Sequence, residues 1–147
     1  MSNYATENLR TLALVGHGSC GKTTLIEAML YRAGMIPEMG SIQRGTTMCD
    51  NDLLEKEVGH SIRLAVAHID TAMTDLTPVR IHILDTPGYP DYLGQDMSAL
   101  DAVKSVCAVI DPTKGPELLT RRLMAMAKER GLCRMIVINK MEHPEAD

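Results

Sequence analysis

The residues best suited to chemistry lie in one glycine-rich stretch near the start of the sequence. It has the pattern G-x-x-x-x-G-K-T and consists of Gly16, His17, Gly18, Ser19, Cys20, Gly21, Lys22 and Thr23. An apolar run (12–15) precedes it and a helical pattern (24–30) follows, which is the context of a phosphate-binding loop. In such loops backbone N–H groups and the helix dipole face the phosphates, while the lysine and the threonine hydroxyl contact phosphate and Mg²⁺. The stretch therefore predicts a nucleotide site, and a chance glycine-rich turn is the less favoured alternative.

Two further motifs each follow an apolar run that is predicted to be a strand. Asp85-Thr86-Pro87-Gly88 fits D-x-x-G, in which the carboxylate suits the Mg²⁺ shell and the glycine N–H can contact a γ-phosphate. Asn139-Lys140-Met141-Glu142 fits N-K-x-(acidic), a guanine-reading arrangement in which a carboxylate accepts two hydrogen bonds from the base. The three motifs in this order favour a GTP-binding domain over an ATPase or a small-molecule kinase.

Alternating strand and helix patterns place these motifs on an α/β fold. Predicted strands cover 9–15, 62–69, 79–85, 105–110 and 135–138, and predicted helices cover 24–33, 96–103 and 117–130. The first strand is apolar enough to be buried on both faces, and the second and third form a hairpin. Residues 35–60 lack periodicity and are expected to form a switch segment that orders around the γ-phosphate. We predict a P-loop NTPase fold, with a doubly wound, mostly parallel sheet, one antiparallel edge strand and the nucleotide at the C-terminal edge.

Composition limits the class of protein and its partners. The 147 residues suffice for about one domain, and 45% apolar with 23% charged residues is typical of a soluble globular protein. The net charge of −4 shows no excess of positive charge of the kind that direct nucleic-acid binding requires. No signal or membrane-spanning pattern is evident, so a cytoplasmic protein without a membrane partner is expected.

The four cysteines show neither a C-x-x-C pair nor metal-ligand spacing. Cys107 and Cys133 lie in or beside apolar runs and are expected to be buried thiols. Cys20 is expected to fill the loop, and a reactive thiolate activated by the helix dipole is the less favoured alternative. His68 and His82 lie on predicted strands and are expected to be structural rather than catalytic.

With these motifs the sequence resembles the N-terminal GTP-binding domain of translation elongation factor G, in particular its elongation-factor-G-like paralogues, over residues 8–142. The resembling segments are 16–24, 45–47, 57–62, 85–92 and 139–142. The resemblance implies a GTPase that binds GTP, GDP and Mg²⁺ and acts on the ribosome during translocation. It also implies that residues 1–147 are one GTP-binding domain that is incomplete at its C-terminus.

The resemblance further implies roles for single residues. The Mg²⁺ ligands would be Thr23, Asp85 and Ser61, which occupies a switch position where the family has threonine. Asn139 and Lys140 would frame the base. Lys22 and Tyr89 would be the catalytic residues. The implied nucleotide-binding set is Gly16, His17, Gly18, Ser19, Cys20, Gly21, Lys22, Thr23, Thr24, Asp85, Thr86, Pro87, Gly88, Tyr89, Asn139, Lys140 and Glu142.

Three motifs depart from the family pattern. The switch motif R-G-I-T-I reads V-G-H-S-I here (58–62), so Ser61 keeps a hydroxyl but loses a methyl group. Tyr89 replaces a histidine that positions the attacking water, which predicts slow hydrolysis. Glu142 replaces an aspartate, which predicts weaker guanine selectivity. A non-hydrolysing guanine-nucleotide-binding module, regulatory or vestigial, is therefore the alternative to a GTPase.

Overall fold

The computed structural model of the chain describes residues 4–49, 55, 60–73 and 75–146. Within them the strands are β1 (Leu9–Val15), β2 (Ala65–Ala72), β3 (Pro78–Asp85), β4 (Ser105–Ile110) and β5 (Cys133–Ile138). The α-helices there are α1 (Lys22–Arg32), α2 (Leu93–Ala102) and α3 (Leu118–Glu129). Part of the predicted switch segment, including the first two positions of the V-G-H-S-I motif, lies outside the described residues.

The strands form one sheet in the order β2-β3-β1-β4-β5. Strand β1 is parallel to both β3 and β4, and β4 is parallel to β5, whereas β2 pairs with β3 in the antiparallel sense. This confirms the predicted mostly parallel sheet with one antiparallel edge strand. The carboxyl ends of the four parallel strands meet at one edge, which is where open α/β sheets bind ligands.

Helices cover the two faces of the sheet and make two hydrophobic clusters. On one face Ile26 and Leu30 of α1 pack with Leu14 and Ile83. On the other face Leu100 of α2 and Leu123 of α3 pack with Val15 and Val106. These are the two faces of a doubly wound fold, and they hold the strand ends in fixed positions relative to the helix starts. None of the described helices is long and apolar enough to cross a membrane.

The second strand begins at Ala65 rather than at the predicted Ile62, and it continues to Ala72. The reason lies in the hydrogen bonds of the residues before it. The N–H groups of Ile62 and Arg63 both donate to one carboxylate oxygen of Glu55, at 2.9 Å each. The N–H of Leu64 donates to the Gln95 side chain at 2.6 Å. Backbone groups that are bonded to side chains in this way are not available to a sheet ladder.

Three smaller predictions were wrong. Strand β1 is buried only in its C-terminal half, since Leu9 and Arg10 lie beyond the cover of the helices. Cys133 is exposed because it opens the edge strand β5, whereas Cys107 is buried as predicted. Helix α2 begins at Leu93 rather than three residues later, because a 3₁₀ turn at Pro90–Tyr92 runs directly into it. The remaining predicted strands and helices agree with the structure to within about two residues.

His68 and His82 lie opposite each other on β2 and β3, with ring centroids 6.2 Å apart.

Candidate nucleotide-binding site

The glycine-rich loop connects the C-terminal end of β1 to the first residue of α1, as the motif predicted. That residue, Lys22, is buried. Its ammonium nitrogen donates to the carbonyl oxygens of Gly16 at 3.1 Å and His17 at 3.0 Å. The loop therefore curves around a buried cation, next to the N-terminus of a helix. Both features favour an anion.

Three oxygen-bearing side chains meet beside this lysine. The Thr23 hydroxyl donates to a carboxylate oxygen of Asp85 at 2.6 Å and lies 3.1 Å from the Ser61 hydroxyl. All three side chains are buried, and they come from α1, from the end of β3 and from the segment that precedes β2. Two hydroxyls and a carboxylate are hard oxygen donors, which is the donor set that Mg²⁺ prefers, so the residues present fit this cation.

The D-x-x-G turn is pressed against the glycine-rich loop. Gly88 has φ +79°, and a Cβ at this position would lie 2.3 Å from the Lys22 ammonium nitrogen and 2.4 Å from the Gly16 carbonyl oxygen. Only glycine fits a left-handed turn at so close an approach. The buried Thr86 hydroxyl donates to the Leu14 carbonyl oxygen at 2.9 Å and so fixes the turn to β1.

Tyr89 lies between the glycine-rich loop and the residue before Ser61. A Cβ at Gly18 would lie 2.3 Å from Cζ of the Tyr89 ring, so the ring rests against a position that has no side chain. The His60 ring also contacts it, with its centroid 4.5 Å away and its plane tilted by 41°. The phenol ring is thus in contact with both the loop and the imidazole.

The N-K pair of the last motif contacts the glycine-rich loop from the end of β5. The Asn139 side-chain amide donates to the Cys20 carbonyl oxygen at 3.0 Å. The Lys140 ammonium donates to the Ser19 carbonyl oxygen at 2.7 Å and to an Asp111 carboxylate oxygen at 2.8 Å. Glu142 is the exception, since its side chain is exposed and forms no hydrogen bond within the described part of the chain.

Asp111 is a site residue that sequence reasoning missed. It directly follows β4, so it lies at the same sheet edge as the predicted motifs, and it is buried. The Lys140 ammonium and the Thr113 hydroxyl, which donates at 2.6 Å, hold the pKa of its carboxyl well below the usual range. The position of Asp111 directly after an apolar, predicted strand could have identified it as a site residue. The sequence does not show, however, that Lys140 would be its partner.

Two cavities flank Tyr89. One of about 290 Å³ is lined by Lys22, Thr23, Thr24, Ser61, Pro87 and Lys140 together with His60 and Tyr89. The other, of about 470 Å³, is lined by His17 and by residues of α3 and the turn before it. The side chain of His17 lies 3.8 Å from the Glu117 carboxylate, and burial lowers the pKa of His17 while Glu117 raises it. His17 thus lines the larger cavity and is not among the residues that line the smaller one.

Cys20 is fully buried inside the loop. Burial raises the pKa of its thiol, and the Lys22 ammonium only partly opposes this. A buried thiol with a raised pKa is a poor nucleophile, which favours the prediction of a loop-filling residue over a reactive thiolate.

Comparison with known proteins agrees with this geometry. Residues 7–147 match the family described as the elongation factor Tu GTP binding domain. An elongation factor G-like protein of Mycobacterium tuberculosis is 35% identical, over 95% of this chain and 19% of its own length. The mitochondrial ribosome-releasing factor 2 of Drosophila willistoni is 34% identical, over 97% of this chain and 18% of its own length. The chain therefore spans about a fifth of the length of these relatives.

The fold has solved counterparts as well. A crystal structure of a protein from Thermus thermophilus superposes with a TM-score of 0.82 at 36% sequence identity, covering 90% of this chain and 19% of that one.

Proposed function

The chain belongs to the elongation factor Tu GTP binding domain family, and from this we propose that it binds GTP and GDP together with Mg²⁺ and hydrolyses GTP. The resemblance to elongation factor G is confirmed by the elongation factor G-like relative. One observation carries the proposal. The phosphate loop, the D-x-x-G turn and the N-K pair come from three different strand ends, yet the turn and the pair both contact the loop, and all three line a single cavity.

The phosphates are bound by the loop between β1 and α1. Lys22 contacts the β- and γ-phosphates, and the Gly88 N–H contacts the γ-phosphate. A bound Mg²⁺ would be held by Thr23, Ser61 and Asp85, and it would supply positive charge against the phosphate oxygens. In support, these three side chains already lie within hydrogen-bond distance of one another.

The base is bound at the end of β5. Asn139 and Lys140 frame the guanine, and their bonds to the loop carbonyls of Cys20 and Ser19 fix their distance from the phosphates. Glu142 accepts hydrogen bonds from the base edge only after it turns toward the cavity. That movement has an entropic cost, so guanine selectivity is weaker than in relatives with a shorter, better placed carboxylate.

Hydrolysis needs a water molecule in line with the γ-phosphate, because in phosphoryl transfer the protein mainly positions and stabilises the reacting groups. By the family resemblance Tyr89 occupies the position of the residue that holds this water, but a phenol is a poor proton acceptor near neutral pH. We therefore expect slow hydrolysis. This step would serve an action on the ribosome, as the name of the relative ribosome-releasing factor 2 suggests.

A second candidate function is a guanine-nucleotide-binding module that does not hydrolyse GTP. The specific observation in its favour is the packing of the Tyr89 ring against Gly18, which fills the space beside the loop with an aromatic ring. In such a module GTP and GDP would only set the conformation of the segment around Ser61.

Single-turnover GTP hydrolysis separates the two functions. The 147-residue chain, loaded with GTP and Mg²⁺, is compared with its Lys22→Ala and Tyr89→His variants, with and without ribosomes. We expect slow phosphate release by the parent, none by Lys22→Ala, and release faster by at least about tenfold in Tyr89→His. A parent that binds GTP but releases no phosphate would support the non-hydrolysing module. A fast parent with no gain from histidine would show that Tyr89 is not limiting.

A further inference from the structure

His60 is a histidine to which neither the motifs nor the proposed roles give a function. Of the five histidines in the chain, it is the one that lines the cavity containing Lys22 and Thr23. It is half-buried and directly precedes Ser61. The described structure therefore places an imidazole in the proposed phosphate site, although not at the position after Gly88.

Tyr89 fixes the position of this imidazole. The phenol end of the Tyr89 ring rests against the backbone of Gly18, which limits the movement of the ring. The two rings are in contact, with their centroids 4.5 Å apart. A side chain held by packing loses less entropy when it orders a ligand, so His60 is preorganised within the cavity.

Among the described residues, the hydrogen bonding of His60 uses one ring nitrogen and leaves the other for a further partner. Nδ1 lies 3.3 Å from the carbonyl oxygen of Ser61. With the proton on Nδ1, this nitrogen donates to that carbonyl, and Nε2 is then an acceptor. An acceptor in this place can hold one hydrogen of a water molecule and so orient an oxygen lone pair toward the γ-phosphate.

We propose that His60, held in place by Tyr89, positions the attacking water for GTP hydrolysis by this chain. The inference rests on the proposed function and deepens it. Tyr89 then acts mainly as the support for His60 rather than as the group that contacts the water.

A double-mutant cycle tests the proposal with single-turnover hydrolysis at saturating GTP, in the presence of ribosomes. The proteins are the parent, His60→Ala, Tyr89→His and the double variant. We expect His60→Ala to slow hydrolysis by about tenfold or more. In the Tyr89→His background the same substitution should have little effect, because an imidazole at position 89 supplies the missing acceptor. Equal slowing in both backgrounds would indicate a structural role and overturn the proposal.

Two further variants control for folding and for general loss of a histidine. His60→Gln keeps an acceptor oxygen and should retain more activity than His60→Ala. His68→Ala removes an exposed histidine from β2 and should hydrolyse GTP as the parent does. GDP affinity should be the same in all these variants. Equal rates for parent and His60→Ala, with equal GDP affinity, would overturn the role of His60 while leaving the GTPase intact.

A binding measurement gives a readout that does not depend on turnover. Aluminium fluoride with GDP mimics the phosphoryl group in the transition state, so its binding reports on groups that contact the water. We expect the gain in GDP affinity on adding aluminium fluoride to be smaller in His60→Ala than in the parent, and an unchanged gain would contradict the inference. If the parent binds GDP through Lys22 but neither hydrolyses GTP nor shows this gain, the proposed hydrolysis fails and the role of His60 fails with it.

Discussion

Lys140 contacts a part of the site that lies 121 residues away in the sequence. Its ammonium contacts the loop carbonyl of Ser19 and the carboxylate of Asp111. The N-K-x-E motif predicted that Lys140 belongs to the site, because the spacing of that motif is local. It could not predict Asp111 as a partner, because that pairing depends on two strand ends meeting in space.

The same distinction applies to Tyr89 and Glu142. Sequence reasoning identified both as departures from the family pattern, since a motif shows which residue type is unusual. It gave no role to His60, because the contact between His60 and Tyr89 is set by how the two segments pack. Local patterns therefore predict which residues enter a site better than they predict their contacts.

A first prediction concerns Glu142, which the structure places in solvent. Glu142→Asp shortens the side chain by one methylene and removes one torsion that must be frozen when the base binds. We expect the variant to prefer GTP over inosine or xanthosine triphosphate several-fold more strongly than the parent, because each better hydrogen bond to a charged group contributes about 1 kcal/mol or more. Competition binding measures this ratio. Identical ratios would show that Glu142 either reaches the base already or never does.

Helices and strands are held to the irregular segments around the site by buried carboxylates, which accept hydrogen bonds from backbone N–H groups of those segments. Glu27 of α1 is fully buried, and its two carboxylate oxygens accept from the N–H groups of Gly40 at 2.9 Å and Met48 at 2.5 Å. Glu55 acts in the same way on the residues before β2. Periodicity predicted most strands and helices to within about two residues, but it missed the start of β2 since a side-chain acceptor leaves no periodic signal.

A second prediction follows from Glu27. Glu27→Ala leaves two backbone N–H groups without their acceptor, so we expect a loss of about 3 kcal/mol in the free energy of unfolding and faster proteolysis within residues 40–49. Glu27→Gln keeps one acceptor oxygen and should lose less. Glu38→Ala, at an exposed position in the same region, is the matched control. Denaturant unfolding and limited proteolysis measure both effects, and equal behaviour of the alanine variants at 27 and 38 would contradict the role of Glu27.

A third prediction concerns pH. Asp96 in the first turn of α2 is fully buried, and burial raises the pKa of its carboxyl above the ordinary Asp value. The folded state therefore holds the proton more tightly than the unfolded state. The protonated Asp96 therefore contributes its full stability below the ordinary Asp pKa, and this stability is lost as the pH rises through the raised pKa of the folded state.

Asp96→Asn remains neutral at every pH. We expect its denaturant midpoint to exceed that of the parent at pH 7, with a smaller difference at pH 4. Urea unfolding at both values checks this. A difference between the two proteins that does not change with pH would rule out titration of Asp96 as the cause.

At the scale of the whole molecule, the described structure has one sheet edge that is both apolar and exposed. Strand β5 pairs with β4 on one side, and no other described strand pairs with it. Met135, Ile136 and Ile138 are 49%, 60% and 55% exposed. An unpaired apolar edge is a surface on which another chain can add a strand. The sequence predicted the order of the elements, and a sheet that ends with the strand 135–138 already predicts an unpaired edge there; the packed sheet shows that this edge is apolar and exposed.

A fourth prediction therefore concerns association. We expect the 147-residue chain to self-associate as its concentration rises, and Ile136→Lys to reduce this because a charged edge disfavours pairing. Leu118→Lys, which introduces the same charge at an exposed leucine of α3, should leave association unchanged. Sedimentation velocity over a range of concentrations measures all three proteins. A parent that stays monomeric throughout would contradict this prediction.

We propose that one cavity, built from three strand ends, binds guanine nucleotide through Lys22 and the N-K pair. Calorimetric titration of the chain with GTP, GDP and ATP in the presence of Mg²⁺, with Lys22→Ala as the paired variant, measures this binding. We expect binding of GTP and GDP, binding of ATP that is weaker by about tenfold or more, and loss of all three in Lys22→Ala. ATP affinity equal to that of GTP, or unchanged affinity in Lys22→Ala, would contradict it.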